Sequence, residues 1–162
     1  MGTKYLLNPR LIGAKASKLA TSLLSLVIGQ DQAVNTIIQM YQMQLAGLHN
    51  PTKPICNILI TGPTGSGKTL LVESLAKVLH GEEEKMIKID CAEFQHDHEI
   101  AKLTGAPPGY LGHRETVLTL TQETLNNCTS EEHNISIVLF DEIEKASSAL
   151  WDLLLGILDK DH

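Results

Sequence analysis

The eight residues from Gly62 to Thr69 have the types and the spacing needed to bind a polyphosphate. They match the pattern G-x-x-x-x-G-K-[ST] at every position, as Gly62, Pro63, Thr64, Gly65, Ser66, Gly67, Lys68 and Thr69. Glycines let the backbone curl so that several N–H groups converge on phosphate oxygens with no Cβ in the way. Lys68 supplies a full positive charge toward the β and γ phosphates, and the Thr69 hydroxyl is suited to coordinate Mg²⁺. We therefore predict that residues 62–69 bind ATP together with Mg²⁺.

The residues on either side of this loop follow the order that a phosphate-binding loop requires. Residues 55–61 form a short, almost continuous apolar run, which predicts a strand buried on both faces of a parallel sheet. Residues 70–80 carry apolar side chains at helical spacing, namely Val72, Leu75, Ala76 and Leu79. Strand, glycine loop and helix in this order argue against a glycine-rich turn that matches by chance.

An acidic pair, Asp141 and Glu142, directly follows a second apolar run at 135–140. Ligands of parallel α/β sheets gather at the carboxyl ends of the strands, so we expect this pair to lie near Lys68. We predict that Asp141 holds Mg²⁺, directly or through water, and that Glu142 orients and polarises the water that attacks the γ phosphate. The alternative, that both acids merely end a strand, is less favoured beside an intact phosphate-binding loop.

Composition restricts the class of protein. With 162 residues, 43% hydrophobic and 20% charged, the chain has the size and balance of one globular domain or part of one. Its net charge of -6 argues against non-specific binding to nucleic acid or an anionic membrane. No apolar run approaches the ~18 residues of a membrane span. The three cysteines form no C-x-x-C pair, so we predict a reducing compartment, the cytoplasm, and neither a disulfide framework nor a zinc site.

The remaining periodicity completes an α/β fold. We predict a leader helix within residues 1–26, and a second helix that begins at Asp31 and carries an apolar stripe to Leu45. Further predictions are a short strand at 86–90, helical turns at 99–103 and a helix at 117–125. A final helix is indicated by Leu150, Leu153, Leu154 and Ile157.

Four segments resemble, in order and spacing, those of the Clp family of AAA+ protein unfoldases. They are residues 27–30, 62–69, 105–112 and 139–146. The resemblance is nearest to the second ATPase domain of ClpA, ClpB and ClpC, and it extends over residues 26–158. It implies a P-loop NTPase fold of three α/β/α layers with a parallel sheet, in which residues 62–69 are the Walker A motif and Asp141-Glu142 the Walker B motif.

The same resemblance implies further site residues and partners. Val27 and Ile28 would line the adenine pocket. Gly109, Tyr110, Leu111 and Gly112 would form a pore loop that grips an unfolded or misfolded polypeptide inside a hexameric ring, with a protease as a possible partner. A tyrosine suits such a grip because its ring and hydroxyl contact any peptide, although sequence physics alone favours an ordinary turn tyrosine.

The resemblance also predicts how the chain is divided. Residues 1–26 would be an N-terminal helical leader, and residues 27–162 the N-terminal part of the large AAA+ subdomain, truncated before its later strands and helical lid. No residue matches the arginine finger of the family, so we expect the isolated chain to be a weak or inactive ATPase.

Three functions remain open from the sequence. The preferred one is an ATP-driven motor for protein unfolding and remodelling, that is, a chaperone-like ATP hydrolase. The alternatives are a nucleotide-gated interaction module without productive turnover and another P-loop phosphotransferase. A kinase usually needs a basic lid, which the two arginines of the chain, Arg10 and Arg114, make less favoured.

Overall fold

A computed structural model describes residues 13–48, 53–63, 65–100, 103 and 120–158 of the chain. Within these residues the helices are α1 (Ala14–Leu26), α2 (Asp31–Leu45), α3 (Lys68–His80), α4 (Gln122–Asn127) and α5 (Ser148–Leu158). The strands are β1 (Ile87–Asp90) and β2 (Val138–Asp141). Short 3-10 turns cover Cys91–Glu93, Asp97–Ile100 and Ile143–Lys145.

The two strands pair in parallel, and their register runs from Ile87 beside Val138 to Asp90 beside Asp141. Because side chains alternate between the faces of a strand, this register sorts them into two sets. The apolar set packs with α5 and Leu103 in one hydrophobic cluster; it comprises Ile87, Ile89, Val138 and Phe140. The opposite face carries Lys88 and Asp141, which lie toward α3.

A second hydrophobic cluster joins the first three helices on that opposite side. Its buried members are Ala16, Leu19 and Leu23 of α1, Val27, Val34, Ile37, Ile38 and Tyr41 of the α2 region, and Leu71 and Leu79 of α3. Ile135 and Ile137, just before β2, pack against it. Helices therefore cover both sides of a parallel pair of strands, which confirms the predicted α/β class with a parallel sheet.

The strand predicted at 55–61 is wrong for this structure. No strand is assigned there, and Leu59 is 76% exposed although an apolar run predicts burial on both faces. A strand is defined by backbone hydrogen bonds to a neighbour. Within the described residues no backbone–backbone hydrogen bond reaches 55–61. Ile60 alone of this segment packs against the helical cluster.

The bounds of several other predicted strands and helices differ from those in the structure. The strand predicted at 86–90 is confirmed as β1, whereas the one at 135–140 is shorter at its start and ends at Asp141. Within the described part of the helix predicted at 117–125, α4 begins at Gln122, where Thr121 and Thr124 exchange the hydrogen bonds of a capping box; residues 117–119 lie outside the described residues. Of the turns predicted at 99–103, the structure has a 3-10 turn at Asp97–Ile100 and a helical residue at Leu103, and residues 101–102 lie outside the described residues.

The predicted helices of the first half are present. The leader helix occupies Ala14–Leu26 of the predicted 1–26, and α2 begins at Asp31 as expected. The helix predicted to follow the glycine loop is present and begins at Lys68; Leu71 and Ala76 are fully buried in it, whereas Val72 is only half-buried. In the described part of the chain, no helix combines the length and apolarity needed to cross a bilayer.

The last residue of α3, His80, is buried and hydrogen-bonded. The Nδ1 atom of His80 lies 3.1 Å from the Ser130 hydroxyl, and the backbone N–H of His133 donates to the same hydroxyl over 3.3 Å. The Tyr41 hydroxyl lies 3.2 Å from Nδ1 of His133. Burial lowers the pKa of His80, and nearby His133 lowers it further, while the Ile135 backbone opposes the shift. The folded chain thus favours the neutral imidazole.

This environment predicts a pH-dependent stability. Since the pKa of His80 is lower in the folded than in the unfolded chain, the unfolded chain binds more protons as the pH falls through 6.5. The free energy of unfolding should therefore fall on acidification, by at most about 1.4 kcal/mol per pH unit for one proton. Denaturant titrations at pH 7.5 and 5.5 should show a smaller loss for His80→Gln than for the wild type. The exposed His96→Gln should behave as wild type, and equal pH dependence in His80→Gln would contradict the assignment.

Candidate active site

Left-handed glycines shape the loop at the amino end of α3. Gly65 and Gly67 have φ angles of 79° and 85°, a region that other residues rarely adopt. The Ser66 N–H donates to the Pro63 carbonyl over 3.2 Å, and the Leu71 N–H donates to the Gly67 carbonyl, which begins the helix. The loop therefore turns tightly and continues directly into α3.

The Lys68 ammonium lies back over this loop. Its Nζ atom donates to the carbonyl oxygens of Gly62 and Pro63, each over 2.8 Å. An ammonium group has three N–H donors, so these two bonds leave one for a ligand. The positive charge is thus fixed at the mouth of the loop rather than extended into solvent.

The loop and the acidic pair meet at Thr69 and Asp141. The Thr69 hydroxyl oxygen Oγ1 lies 3.5 Å from Oδ2 of Asp141. Asp141 is the last residue of β2 and Thr69 the second residue of α3, so this contact joins the carboxyl end of a strand to the amino end of a helix. The structure therefore brings together residues that are distant in the sequence.

Glu142 has an unusual backbone conformation. With φ 54° and ψ 38°, it is the only non-glycine residue of the described part with a positive φ. Its N–H donates to Oδ1 of Asp141 over 3.1 Å, and Oε2 accepts a 2.6 Å hydrogen bond from Lys145. That bond raises the pKa of Lys145. Left-handed non-glycine residues cluster at functional sites, because the surrounding structure must support their strain.

Two further residues, to which the sequence analysis assigned no role, contact this site. The Gln30 side-chain amide donates to the Ser66 carbonyl over 2.8 Å, which ties residues 27–30 to the phosphate-binding loop. Lys88 lies with its Nζ atom 3.5 Å from Oδ2 of Asp141 and 3.8 Å from Oε1 of Glu73. The available signal for Lys88 was its polar position within an alternating strand.

The structure separates the two predicted adenine-pocket residues. Val27 is 2% exposed and packs in the helical cluster, whereas Ile28 is 93% exposed. The hydrogen bond from the Gln30 side chain to the Ser66 carbonyl connects the segment that contains both residues to the phosphate-binding loop. Thr64 and the predicted pore-loop residues 109–112 lie outside the described residues.

The residues present fit a nucleotide with Mg²⁺. Adjacent ligands of an octahedral ion with bonds of about 2.1 Å lie about 3.0 Å apart, so a small approach of Thr69 and Asp141 would place both on one ion. The buried Ser66 hydroxyl has no hydrogen-bond partner within the described residues, and a Cβ on Gly62 would lie 3.0 Å from it. The described residues contain no cluster of three His, Cys, Asp or Glu side chains that could hold a metal. Two oxygen ligands suit Mg²⁺, which usually takes its other ligands from phosphates and water.

Comparison with known proteins supports the same family as the motifs. Residues 53–162 match the family model described as AAA domain (Cdc48 subfamily). The chain is 42% identical over 136 residues to the "ATP-dependent Clp protease ATP-binding subunit ClpC" of Staphylococcus epidermidis, covering 84% of this chain and 16% of that protein. It is 41% identical, over the same shares, to the protein of that name from Staphylococcus aureus strain USA300.

The chain thus spans about one sixth of the length of these curated relatives, since it covers 16% of each. The family model covers residues 53–162, which include the phosphate-binding loop, both described strands and the acidic pair. The predicted resemblance is confirmed by both comparisons. From the glycine loop, the acidic strand end and these matches together, the chain belongs to the AAA+ ATPases of the Clp family.

Proposed function

We propose that this chain binds ATP with Mg²⁺ and hydrolyses it, as part of a ring-shaped Clp-like machine that unfolds and remodels proteins. The observation that carries the proposal is the 3.5 Å approach of Thr69 Oγ1 to Asp141 Oδ2, beside the Lys68 ammonium at the mouth of the loop. A phosphate chain, a hydroxyl, a carboxylate and a fixed cation are the components of phosphoryl transfer in this class of protein.

Nucleotide binding uses charge and backbone donors. Lys68 would donate its remaining N–H to the β and γ phosphates, and the first N–H groups of α3 would add the positive end of the helix dipole. The unpartnered Ser66 hydroxyl is a further group that a ligand would satisfy. Gln30 fixes the Ser66 carbonyl and thereby the loop conformation.

Hydrolysis needs a group that orients water at the γ phosphate, and Glu142 is that group in this proposal. Its left-handed backbone lies directly after the strand end, and its N–H restrains the Asp141 carboxylate. Mg²⁺, when bound, neutralises charge that develops on the phosphates. Thr69 and Asp141 would be its protein ligands, and Lys145 would keep the Glu142 carboxylate in one orientation before reaction.

Protein remodelling follows from the family rather than from the site. The relatives are named as ATP-binding subunits of an ATP-dependent protease. We extend this to a hexameric ring that acts on unfolded or misfolded polypeptide in the cytoplasm, with a protease partner. Tyr110, within Gly109 to Gly112, is the proposed pore-loop residue.

A nucleotide-gated module without turnover is the second candidate. The 2.6 Å hydrogen bond between Lys145 and Glu142 favours it, because an ammonium on Oε2 makes the Glu142 carboxylate a weaker base toward a water at its other oxygen. Both candidates require ATP binding at Lys68, and they differ only in the role of Glu142.

Two variants of the full-length protein separate the candidates. Lys68→Ala should weaken ATP binding strongly, because it removes the fixed cation from the loop. Glu142→Gln should retain binding yet reduce hydrolysis by about a hundredfold or more, the range of a lost general base. Binding is measured with a fluorescent ATP analogue, and hydrolysis by phosphate release. Unchanged hydrolysis in Glu142→Gln would favour the gated module, while unchanged binding in Lys68→Ala would overturn the site.

The remodelling role has its own test. Tyr110→Ala in the full-length protein should leave ATP hydrolysis near the wild-type rate and stop the unfolding of a tagged substrate. The reason is that, in this proposal, the aromatic side chain of Tyr110 contacts the polypeptide and not the nucleotide. Unfolding is followed by loss of substrate fluorescence. Tyr110→Phe, which keeps the ring, is the matched control. Equal loss of hydrolysis and unfolding in Tyr110→Ala would argue against a pore-loop role.

Two glycines at opposite ends of α3 provide a matched pair. Gly67 and Gly81 have φ angles of 85° and 87°, and neither has a heavy atom within 4 Å of an added Cβ. Alanine at either position should therefore destabilise the fold similarly, by about 1–2 kcal/mol from backbone strain. Only Gly67→Ala should also weaken ATP binding, as measured with the fluorescent analogue. Equal ATP affinity in the two variants would show that the loop conformation at Gly67 is not needed for binding.

A further inference from the structure

A lysine outside the nucleotide-binding motifs lies beside Asp141, the proposed Mg²⁺ ligand. Lys88 belongs to β1, and its Nζ atom is 3.5 Å from Oδ2 of Asp141, the same oxygen that faces the Thr69 hydroxyl. The parallel register places Lys88 beside Leu139, so Lys88 and Asp141 project from the same face of the sheet. The pairing of β1 with β2 therefore places the Lys88 ammonium next to the Asp141 carboxylate.

Lys88 also has a second partner on α3. Its Nζ atom is 3.8 Å from Oε1 of Glu73, one turn along the helix from Thr69. The lysine thus lies between a carboxylate proposed to bind Mg²⁺ and one with no such role. A single ammonium shared between two carboxylates can shift toward either when the charge at one of them changes.

We propose that Lys88 is the counter-ion of Asp141, competes with Mg²⁺ for this carboxylate, and is drawn off it by Glu73. The inference rests on the proposed function, because it concerns the Mg²⁺ affinity of the same site. Lys88 and Glu73 are positioning residues that act through Asp141, and neither touches the nucleotide. Together they set the Mg²⁺ concentration at which the site fills.

The sign of the effect follows from distance. An ion bound at about 2.1 Å to Oδ2 of Asp141 lies at most about 5.6 Å from a Lys88 ammonium in its present position. Two like charges at that separation repel, and screening by salt reduces but does not remove the effect. Removing the lysine charge should therefore tighten Mg²⁺ binding by about three- to tenfold. Removing the Glu73 charge should weaken it, because Lys88 then pairs with Asp141 alone.

A second ion pair in the same region supplies matched controls. Lys77 and Glu83 pair over 2.6 Å, and the exposed fractions of the two lysine side chains are alike, 49% for Lys77 and 45% for Lys88. Lys77 lies on an exposed part of α3 and has no contact with Asp141 among the described residues. Neutralising this pair removes the same charges without touching the proposed Mg²⁺ ligand.

The experiment is a Mg²⁺ titration of the full-length protein with a saturating, non-hydrolysable fluorescent ATP analogue. Lys88→Met should lower the half-saturating Mg²⁺ concentration by about three- to tenfold, and Glu73→Gln should raise it. Lys88→Arg, which keeps the charge, should restore the wild-type value, while Lys77→Met and Glu83→Gln should leave it unchanged. The shift should shrink as the salt concentration rises.

The outcomes that contradict the proposal are distinct from failure of the site itself. If Lys88→Met leaves the half-saturating Mg²⁺ concentration unchanged, raises it, or shifts it no more than Lys77→Met does, Lys88 does not compete with Mg²⁺. If Glu73→Gln moves it in the same direction as Lys88→Met, Glu73 does not draw the lysine away. A wild-type protein that binds no analogue at any Mg²⁺ concentration would instead overturn the proposed function, and this inference with it.

Discussion

Parallel pairing of β1 with β2 is the constraint on which the candidate site depends. The register that places Asp90 beside Asp141 ends both strands at the same edge, and it projects Lys88 and Asp141 from the face that α3 covers. A slip of one residue would turn Asp141 toward the apolar cluster at α5 and Phe140 toward α3. Because the opposite face of the pair is buried by Ile87 and Ile89, such a slip is strongly disfavoured.

The amino end of α3 is held against this strand edge by packing further along the helix. Leu71 is fully buried among α1 and α2, and Leu79 closes the same cluster near the carboxyl end. The position of Thr69 is therefore set by apolar contacts of α3 with α1 and α2, made by side chains that have no part in the proposed reaction. Gln30 adds a polar restraint on the loop from the segment between α1 and α2. The two hydrophobic clusters thus bring the two halves of the site together from opposite sides of the sheet.

Charge around the site is distributed in compensating pairs. Asp141 faces Lys88, Glu142 is bonded to Lys145, and Lys68 is bonded to two loop carbonyls. In each case the partner is either a residue outside the glycine loop and the acidic pair or a backbone carbonyl. A Mg²⁺-nucleotide complex adds both signs of charge at once, so its binding must redistribute these contacts. The proposed roles of Lys88 and Lys145 follow from that requirement.

The sequence alone determined the family, the α/β class, the helix after the glycine loop and the types of residue at the site, because local patterns and short motifs depend on neighbouring residues only. It failed at 55–61, where apolarity predicted a buried strand, because hydrogen bonding to a neighbouring strand is not a local property. It also assigned no role to Gln30 or Lys88, whose contacts with Ser66 and Asp141 join distant parts of the chain. Only the tertiary structure decided which charges meet at Asp141, since strand register and helix packing bring them within range of one another.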